Sequence, residues 1–211
     1  DGLNVAVGHG AGEEVSTGTV NTLIGGLAGN ALDVGAANVA VGYAALATED
    51  GDGNNVAVGY LALTTQNVGA DGHNTGVGHK AGRLITSGIR NTIVGALAGD
   101  ALTDADDNVA VGMLALSTCQ LGSANTAVGK DALEDCNPAS AVTMYNSAFG
   151  QGAAANLTTA IKGTFIGARS GGGASLTGNE NTCVGYDSGI GLTSGVQNTF
   201  VGSQAGDQNT D

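Results

Sequence analysis

The 211-residue chain contains no tryptophan, one proline and three cysteines, and aromatic residues make up only 3% of it. So few large side chains leave little for a conventional globular core, and small residues must supply the burial. Six lysines and arginines stand against nineteen acidic residues, a net charge of −13 that argues against nucleic acid and anionic membrane surfaces. No apolar run approaches the roughly 20 residues of a membrane span, and no signal-peptide pattern stands at the start. We therefore expect no nucleic-acid partner and no membrane insertion.

The chain is instead rich in glycine, with 38 residues, and in one repeated motif, Asn-x-x-Val-Gly. The stretch "NVAVGYAALATEDGDGNNVAVGYLAL", residues 38–63, contains two copies that are 17 residues apart. Taking the closing glycine as the marker, the spacings along the chain are 17, 17, 17, 19, 17, 17, 17, 21, 17, 18 and 17 residues. The twelve marker glycines are Gly8, Gly25, Gly42, Gly59, Gly78, Gly95, Gly112, Gly129, Gly150, Gly167, Gly185 and Gly202. A fixed short period of this kind indicates a solenoid.

The length and composition of the repeat decide which solenoid it forms. Seventeen residues hold about two short strands and two turns, which is too few for a strand plus a helix of mean length. Valine and threonine favour strands, and glycine, asparagine, threonine and valine all disfavour helices. We predict an all-β fold, a parallel β-solenoid or β-roll of twelve coils, each of about 17 residues. At about 4.8 Å per coil, the rod is roughly 58 Å long.

A longer period groups the coils in fours. The segment that follows Gly8 aligns with the segment that follows Gly78, and extra residues stand before Gly78 and Gly150. The chain therefore reads as a single continuous solenoid of three blocks of about 70 residues, 1–70, 71–141 and 142–211. The extra residues are expected to form loops at the block joints.

The strand of each coil is apolar on both faces. Side chains alternate, so Val39 and Val41 share one face and Ala40 points to the other. A strand of this kind is normally covered on both sides. One face fills the coil, and we expect the other to pack against further copies of the chain. The alternative is a monomer whose small side chains tolerate solvent.

Asparagine occupies the position four residues before the marker glycine in eleven of the twelve coils, and Gly163 is the exception. Stacked amides can hydrogen-bond along a rod and cap the backbone at a turn, so we predict a structural ladder. A metal or glycan site is the alternative, but such sites are local and this column runs the full length. The predicted ladder residues are Asn4, Asn21, Asn38, Asn55, Asn74, Asn91, Asn108, Asn125, Asn146, Asn181 and Asn198.

Two of the three cysteines share one column. Cys119 and Cys136 each lie seven residues after a marker glycine, which places their Cα atoms about 5 Å apart, within disulfide range. A disulfide is thus possible, with stacked free thiols as the alternative. Cys183 lies in the strand and is expected to be a small buried hydrophobe.

Few residues suggest a ligand or a receptor. The turns "EDGDGNN" and "TDADDN" make Asp50, Asp52, Asp104 and Asp106 weak Ca²⁺ candidates, with solvated turns as the alternative and no other cofactor expected. The position after the marker glycine forms a stripe that could contact a receptor or glycan, or pack a turn. Its larger members are His9, Tyr43, Tyr60, His79, Met113 and Tyr186. His9 and His79 are four coils, roughly 19 Å, apart and cannot bind one metal.

The segments "NVAVGYAAL", "NVAVGYLAL" and "NTAVGKDAL" resemble the head repeats of trimeric autotransporter adhesins. They are also similar to the N-T-A-V-G-x-x-A-L repeats of bacteriophage tail fibres. The resemblance spans essentially the whole chain, although the adhesin repeat is shorter. It implies a left-handed parallel β-roll, commonly trimeric, that serves as an extracellular shaft or adhesive head.

We therefore expect a non-enzymatic structural protein, a repeat segment or subunit of an extracellular fibre at a cell surface or on a virion. Joining the nine residues after Gly202 to the first eight again gives 17, so end-to-end stacking is expected beside lateral, possibly trimeric, association. The alternative is a receptor-binding or glycan-degrading tail-fibre module. Its candidate acids are Glu13, Glu14, Asp104 and Glu134, which lie in turns that differ between coils. Ice binding is disfavoured because threonine and valine alternate irregularly.

Overall fold

A computed structural model describes residues 2–51, 53–173 and 175–210, and regular structure in these ranges consists of fourteen short β-strands. The strands are Val5–Val7 (β1), Thr22–Ile24 (β2), Val39–Val41 (β3), Val56–Val58 (β4), Thr75–Val77 (β5), Thr92–Val94 (β6), Val109–Val111 (β7), Gly122–Ser123 (β8), Thr126–Val128 (β9), Val142–Thr143 (β10), Ser147–Phe149 (β11), Thr164–Ile166 (β12), Thr182–Val184 (β13) and Thr199–Val201 (β14). Within these ranges no helix is long and apolar enough to cross a membrane.

Twelve of the strands form one parallel sheet in chain order, from β1 to β14 without β8 and β10. Each strand pairs in register with the equivalent strand of the next coil, as Val39 does with Val56 and Val41 with Val58. The sheet continues through both block joints. The predicted all-β parallel solenoid with a spacing of about 17 residues is confirmed.

The extra residues before Gly150 do not form only a loop. Part of them makes β10, which pairs in parallel with β8 as a second, two-stranded sheet. This pairing carries Met144 into the interior, where its side chain is fully buried. This longer coil is therefore hydrogen-bonded to the preceding coil in two sheets, through β11 with β9 and through β10 with β8.

Each coil contains tight turns with positive φ angles, and residues other than glycine also adopt them. Every coil has residues with positive φ two and four positions after the marker glycine and one position before the asparagine column. Many of these are not glycine, for example Leu46 at φ 52° and Ala37 at φ 57°. A left-handed conformation costs an L-residue about 1–2 kcal/mol. It is held here because the amide of such a residue bonds to a neighbouring coil: Leu46 N–H donates to Ala62 O at 3.0 Å.

Three positions direct side chains into the coil interior: the middle of the strand and the residues four and seven after the marker glycine. The first two are called here the inner strand and inner turn positions, and the third carries fully buried residues such as Leu32, Leu102 and Cys119. Where the inner strand residue is large, the inner turn residue is glycine, as in the pairs Leu23 with Gly29 and Ile93 with Gly99. Where the strand residue is alanine, as in Ala110, the turn residue is often leucine, as in Leu116, and both are fully buried. Packing at the density of protein interiors requires this exchange of volume.

The opposite face of the sheet is open. Residues one and three positions before each marker glycine form this outer face, which carries Val, Ile, Thr, Ser and Phe and no charged residue. Val39 and Val41 are partly exposed, whereas Ala40 between them is fully buried. The alanine side of the strand therefore fills the coil, and the valine side is the face that lacks a cover within this chain.

The volume exchange can be tested on one coil. A Cβ at Gly99 would lie 2.8 Å from Leu102 Cδ1 and 3.0 Å from Ile93 Cδ1, so Gly99→Leu alone overpacks the coil. We expect it to lower the free energy of unfolding by about 1–3 kcal/mol, and Ile93→Ala alone to lower it by about 2–5 kcal/mol.

The double variant Ile93→Ala/Gly99→Leu moves the large side chain from the strand to the turn, as in Ala110 and Leu116 of the next coil, while Leu102 stays where that coil has Cys119. We expect its loss of unfolding free energy to be smaller than the sum of the two single losses, because the added leucine takes space that Ile93 leaves. Urea denaturation of the four proteins measures this. Additive losses in the double variant would show that the two positions do not share one space.

Candidate functional site

The asparagine column is the most regular polar feature of the structure. The Oδ1 atom of each asparagine accepts a hydrogen bond from the backbone N–H at the same position on the next coil, at 2.8–3.2 Å. The donors are the amides of Asn21, Asn38, Asn55, Asn74, Asn91, Asn108, Asn125, Asn146, Gly163 and Asn198. Nearly all of these side chains are buried. Each amide therefore fixes the backbone of the coil that follows it.

In part of the ladder, the other end of the side chain bonds to a turn, and the residues that do so are Asn4, Asn21, Asn74, Asn91, Asn146 and Asn181. Nδ2 of Asn55, Asn108 and Asn198 finds no partner among the described residues. Nδ2 of Asn91 donates to the Ala105 carbonyl at 2.8 Å, and Nδ2 of Asn74 donates to the Gly88 carbonyl at the same distance. The ladder is thus made of bonds from side chain to backbone rather than from amide to amide. Among the described residues, one bond joins two asparagine side chains of the column, from Asn125 Nδ2 to Asn108 Oδ1 at 3.3 Å.

The single gap in the column has a steric cause. A Cβ at Gly163 would lie 2.7 Å from Cζ of Phe165, the largest fully buried side chain. The phenyl ring occupies the space that an asparagine needs. In consequence, the N–H of Asn181 on the next coil finds no acceptor among the described residues, although its Nδ2 still donates to Gly195 O at 2.7 Å.

Replacing one ladder residue should have a large effect. In Asn91→Ala, the buried N–H of Asn108 loses its acceptor and the carbonyl of Ala105 loses a donor. Each unsatisfied buried group costs about 1–3 kcal/mol, so we expect a loss of about 2–5 kcal/mol in unfolding free energy. Asn4→Ala is the matched control, because Asn4 has the same bonds but is exposed on the first coil. Equal losses in the two variants, measured by urea denaturation, would contradict a buried ladder.

The cysteines occupy the interior. Cys119 and Cys136 lie on neighbouring coils with their Cα atoms 4.6 Å apart and are joined by a disulfide. Cys183 is a free thiol at an inner strand position, and burial raises its pKa to about 11. A thiol with so high a pKa is protonated at neutral pH and is a poor nucleophile.

The acidic residues suggested as Ca²⁺ ligands mostly bond to protein. Asp104 bonds to Ser87 Oγ, and Asp106 Oδ1 accepts the Ile89 N–H at 2.9 Å, so both hold the turn of the preceding coil. Asp50 is exposed, and Asp52 lies outside the described residues. The part of the chain that the structure describes has no cluster of three or more His, Cys, Asp or Glu side chains suited to a metal ion.

The acids suggested for glycan hydrolysis lie on three different coils. Glu13 and Glu14 lie on the first coil, Asp104 on the sixth and Glu134 on the eighth. Five coils span roughly 24 Å, whereas paired catalytic carboxyl groups lie about 5–10 Å apart. Burial, and then the neighbouring Asp131 and Asp135, raise the pKa of Glu134.

Charged side chains on the turns pair between neighbouring coils. Arg83 bonds to Asp100 through two nitrogens at 2.9 and 3.1 Å, and Arg90 bonds to Asp107 at 2.6 and 2.9 Å. The hydrogen bond from Arg90 holds the pKa of Asp107 below its ordinary value. Partly exposed pairs of this kind are screened by solvent and contribute little to stability. They support the register of the coils without creating a site.

The position after the marker glycine forms an aromatic stack on three successive coils. The rings of Tyr43 and Tyr60 are 5.6 Å apart, and those of Tyr60 and His79 are 5.5 Å apart, with interplanar angles of 15° and 8°. Both tyrosines are about half exposed. We call Tyr43, Tyr60 and His79 the ring stripe. Its outer edges form an accessible aromatic surface on an otherwise small-residue rod.

In comparisons with known proteins, no family model matched the chain, and neither the curated proteins nor the solved structures gave a match. The resemblance to adhesin heads and phage tail-fibre repeats therefore stays a hypothesis. The solenoid fold itself is compatible with a fibre or a structural repeat protein.

Proposed function

We propose that this chain is a non-enzymatic segment or subunit of an extracellular fibre or filament, at a cell surface or on a virion, built by stacking β-solenoid coils. The observation that carries the proposal is the repetition of one bonding pattern, strand pairing plus asparagine ladder, along the twelve-stranded sheet. A rod made this way gains length with every coil and needs no separate core. The motif's resemblance to adhesin and tail-fibre repeats supports the same role.

The two edges of the sheet support stacking beyond the described coils. Among the described residues, β1 pairs only with β2 and β14 only with β13, so each presents one edge without a neighbouring strand. A Cβ at Gly185 would lie 2.6 Å from the carbonyl carbon of Gly202 on the next coil, whereas at Gly202 the nearest atom is Ala205 Cβ of the same coil, 3.9 Å away. The last coil is therefore open, and a further coil of the same pattern fits against it. Open strand edges pair readily with other strands.

The outer face supports lateral association with further copies of the chain. It is about 58 Å long and one three-residue strand, about 10 Å, wide, which gives roughly 600 Å² per chain. Stable interfaces bury about 800 Å² per partner, so the strip supplies about three quarters of one, and flanking turns must supply the rest. The strip carries no charge, and two thirds of its residues are Val, Ile or Phe, the others being Thr and Ser. This composition favours a contact between copies of the chain.

A second candidate role, receptor binding, rests on the ring stripe. Exposed tyrosines are common in recognition surfaces because a large contact area is ordered at a small entropic cost. If the fibre attaches to a cell-surface glycan or protein, Tyr43 and Tyr60 are the side chains that we expect to contact it. Tyr60→Ala should then reduce cell attachment of the fibre without changing its assembly.

Assembly is tested first, by electron microscopy and sedimentation of the purified chain. We expect oligomers or filaments, and we expect Val94→Lys to disperse lateral oligomers, because it places a charge in the middle of the outer face. Val34→Lys is the matched control, since Val34 is a half-exposed valine in a turn outside that face. A parent chain that stays monomeric at every concentration would contradict self-assembly. Equal effects of the two variants on the oligomers would show that the interface does not lie on the outer face.

A further inference from the structure

A cluster of three sulfur atoms lies in the interior at the joint of the second and third blocks. Met144 Sδ is 3.3 Å from Cys136 Sγ, and Cys136 Sγ is bonded to Cys119 Sγ. All three side chains are fully buried. We propose that, when the disulfide is reduced, these three atoms bind a single Cu(I) ion. This role goes beyond the structural function proposed above and does not depend on it.

The three sulfur atoms pack against the backbone of Gly122. A Cβ at that position would lie 2.6 Å from Met144 Sδ, 2.8 Å from Cys119 Sγ and 3.1 Å from Cys136 Sγ, so a residue larger than glycine would displace the sulfur atoms. A three-coordinate ion with metal–sulfur bonds of about 2.3 Å needs sulfur atoms about 4.0 Å apart. The pair Cys136 and Met144 must therefore separate by about 0.7 Å from 3.3 Å. The sulfur atoms of Cys119 and Cys136, bonded in the disulfide, must reach the same separation after reduction, and their Cα atoms are 4.6 Å apart.

The identity of the ion follows from the ligand set. Thiolate and thioether ligands together select soft ions, with Cu(I) foremost, whereas Mg²⁺, Ca²⁺ and Mn²⁺ prefer oxygen. Met144 distinguishes this site from an ordinary cysteine pair, which binds many thiophilic metals. Nδ2 of Asn125 donates to Cys136 Sγ at 4.0 Å. A donor beside a thiolate stabilises its negative charge.

The backbone holds the third ligand in place. The amide of Met144 donates to the Ser123 carbonyl at 2.9 Å, at the end of the small sheet formed by β8 and β10. Met144 belongs to the extra residues before Gly150, which make that coil longer than the others. The insertion thus supplies a sulfur atom beside the one column that has cysteines on adjacent coils.

The chemical balance of loading is simple. A phosphine reductant supplies two electrons to the disulfide, and two protons from water complete the two thiols. Both thiol protons are released when Cys119 and Cys136 bind Cu(I) as thiolates, and the metal keeps its oxidation state. Loading is therefore expected to weaken at acid pH, where protons compete with the metal.

The experiment is a Cu(I) competition titration of the intact, phosphine-reduced chain under argon against bathocuproine disulfonate, followed by X-ray absorption at the copper edge. We expect one ion per chain, bound by three sulfur atoms. Met144→Leu should keep the fold but leave two sulfur ligands and bind at least tenfold more weakly. Cys119→Ala and Cys136→Ala should abolish the site.

The chain offers matched controls for each ligand. Met113→Leu changes the other methionine, which is half exposed, and Cys183→Ala changes the other buried cysteine. Neither variant should change the number of Cu(I) ions bound per chain or the number of sulfur atoms bound to the ion. A parent protein that binds no Cu(I) while its circular dichroism stays native overturns the proposal. Two-sulfur coordination that Met144→Leu leaves unchanged also overturns it, because the metal is then held by an ordinary thiol pair.

Discussion

The structure depends on one hydrogen-bonded unit, the asparagine amide that joins the backbone of two successive coils. Its Oδ1 holds the N–H of the next coil, and in part of the ladder its Nδ2 holds the carbonyl of a turn, as Asn91 does with Asn108 and Ala105. A buried backbone group must be paired, and at this corner neither a strand nor a helix can pair it. The ladder therefore sets the register of the strands, and the register stacks all the other columns, including the outer face and the ring stripe.

The interior then limits which side chains each coil can take. A large residue at the inner strand position is accompanied by glycine at the inner turn position, and a leucine at the turn by a small strand residue, as the pairs Ile93 with Gly99 and Ala110 with Leu116 show. Phe165 is the largest of these residues, and the chain accommodates it with glycine at both Gly163 and Gly171. As a result, Gly163 stands where the other coils have asparagine, and the ladder lacks one side-chain amide. Side-chain volume and hydrogen bonding thus compete for the same corner of the coil.

Much of this architecture could be predicted from spacing alone. A 17-residue period is too short for a helix in each coil, and the alternation around Ala40 predicts that one strand face is buried. The partners of the asparagines could not be predicted, because spacing aligns side chains and does not show that backbone groups accept or donate. The left-handed turns at leucine and alanine were also missed, since propensity assigns that conformation to glycine. The burial of Met144 could not be predicted, because it lies in one of the stretches that depart from the 17-residue period.

The function proposed here follows from repetition, because a rod whose coils share one bonding pattern can extend and present surfaces at regular intervals. The most direct test of this account is amide hydrogen exchange, resolved residue by residue by NMR. We expect the amides of Asn38, Asn55 and Asn91 to be protected nearly to the level of global unfolding, because each is bonded to the preceding coil. The amide of Asn181, which follows the gap at Gly163, should exchange faster. Uniform fast exchange along the column, or equal protection at Asn181, would contradict the ladder as the element that holds the coils in register.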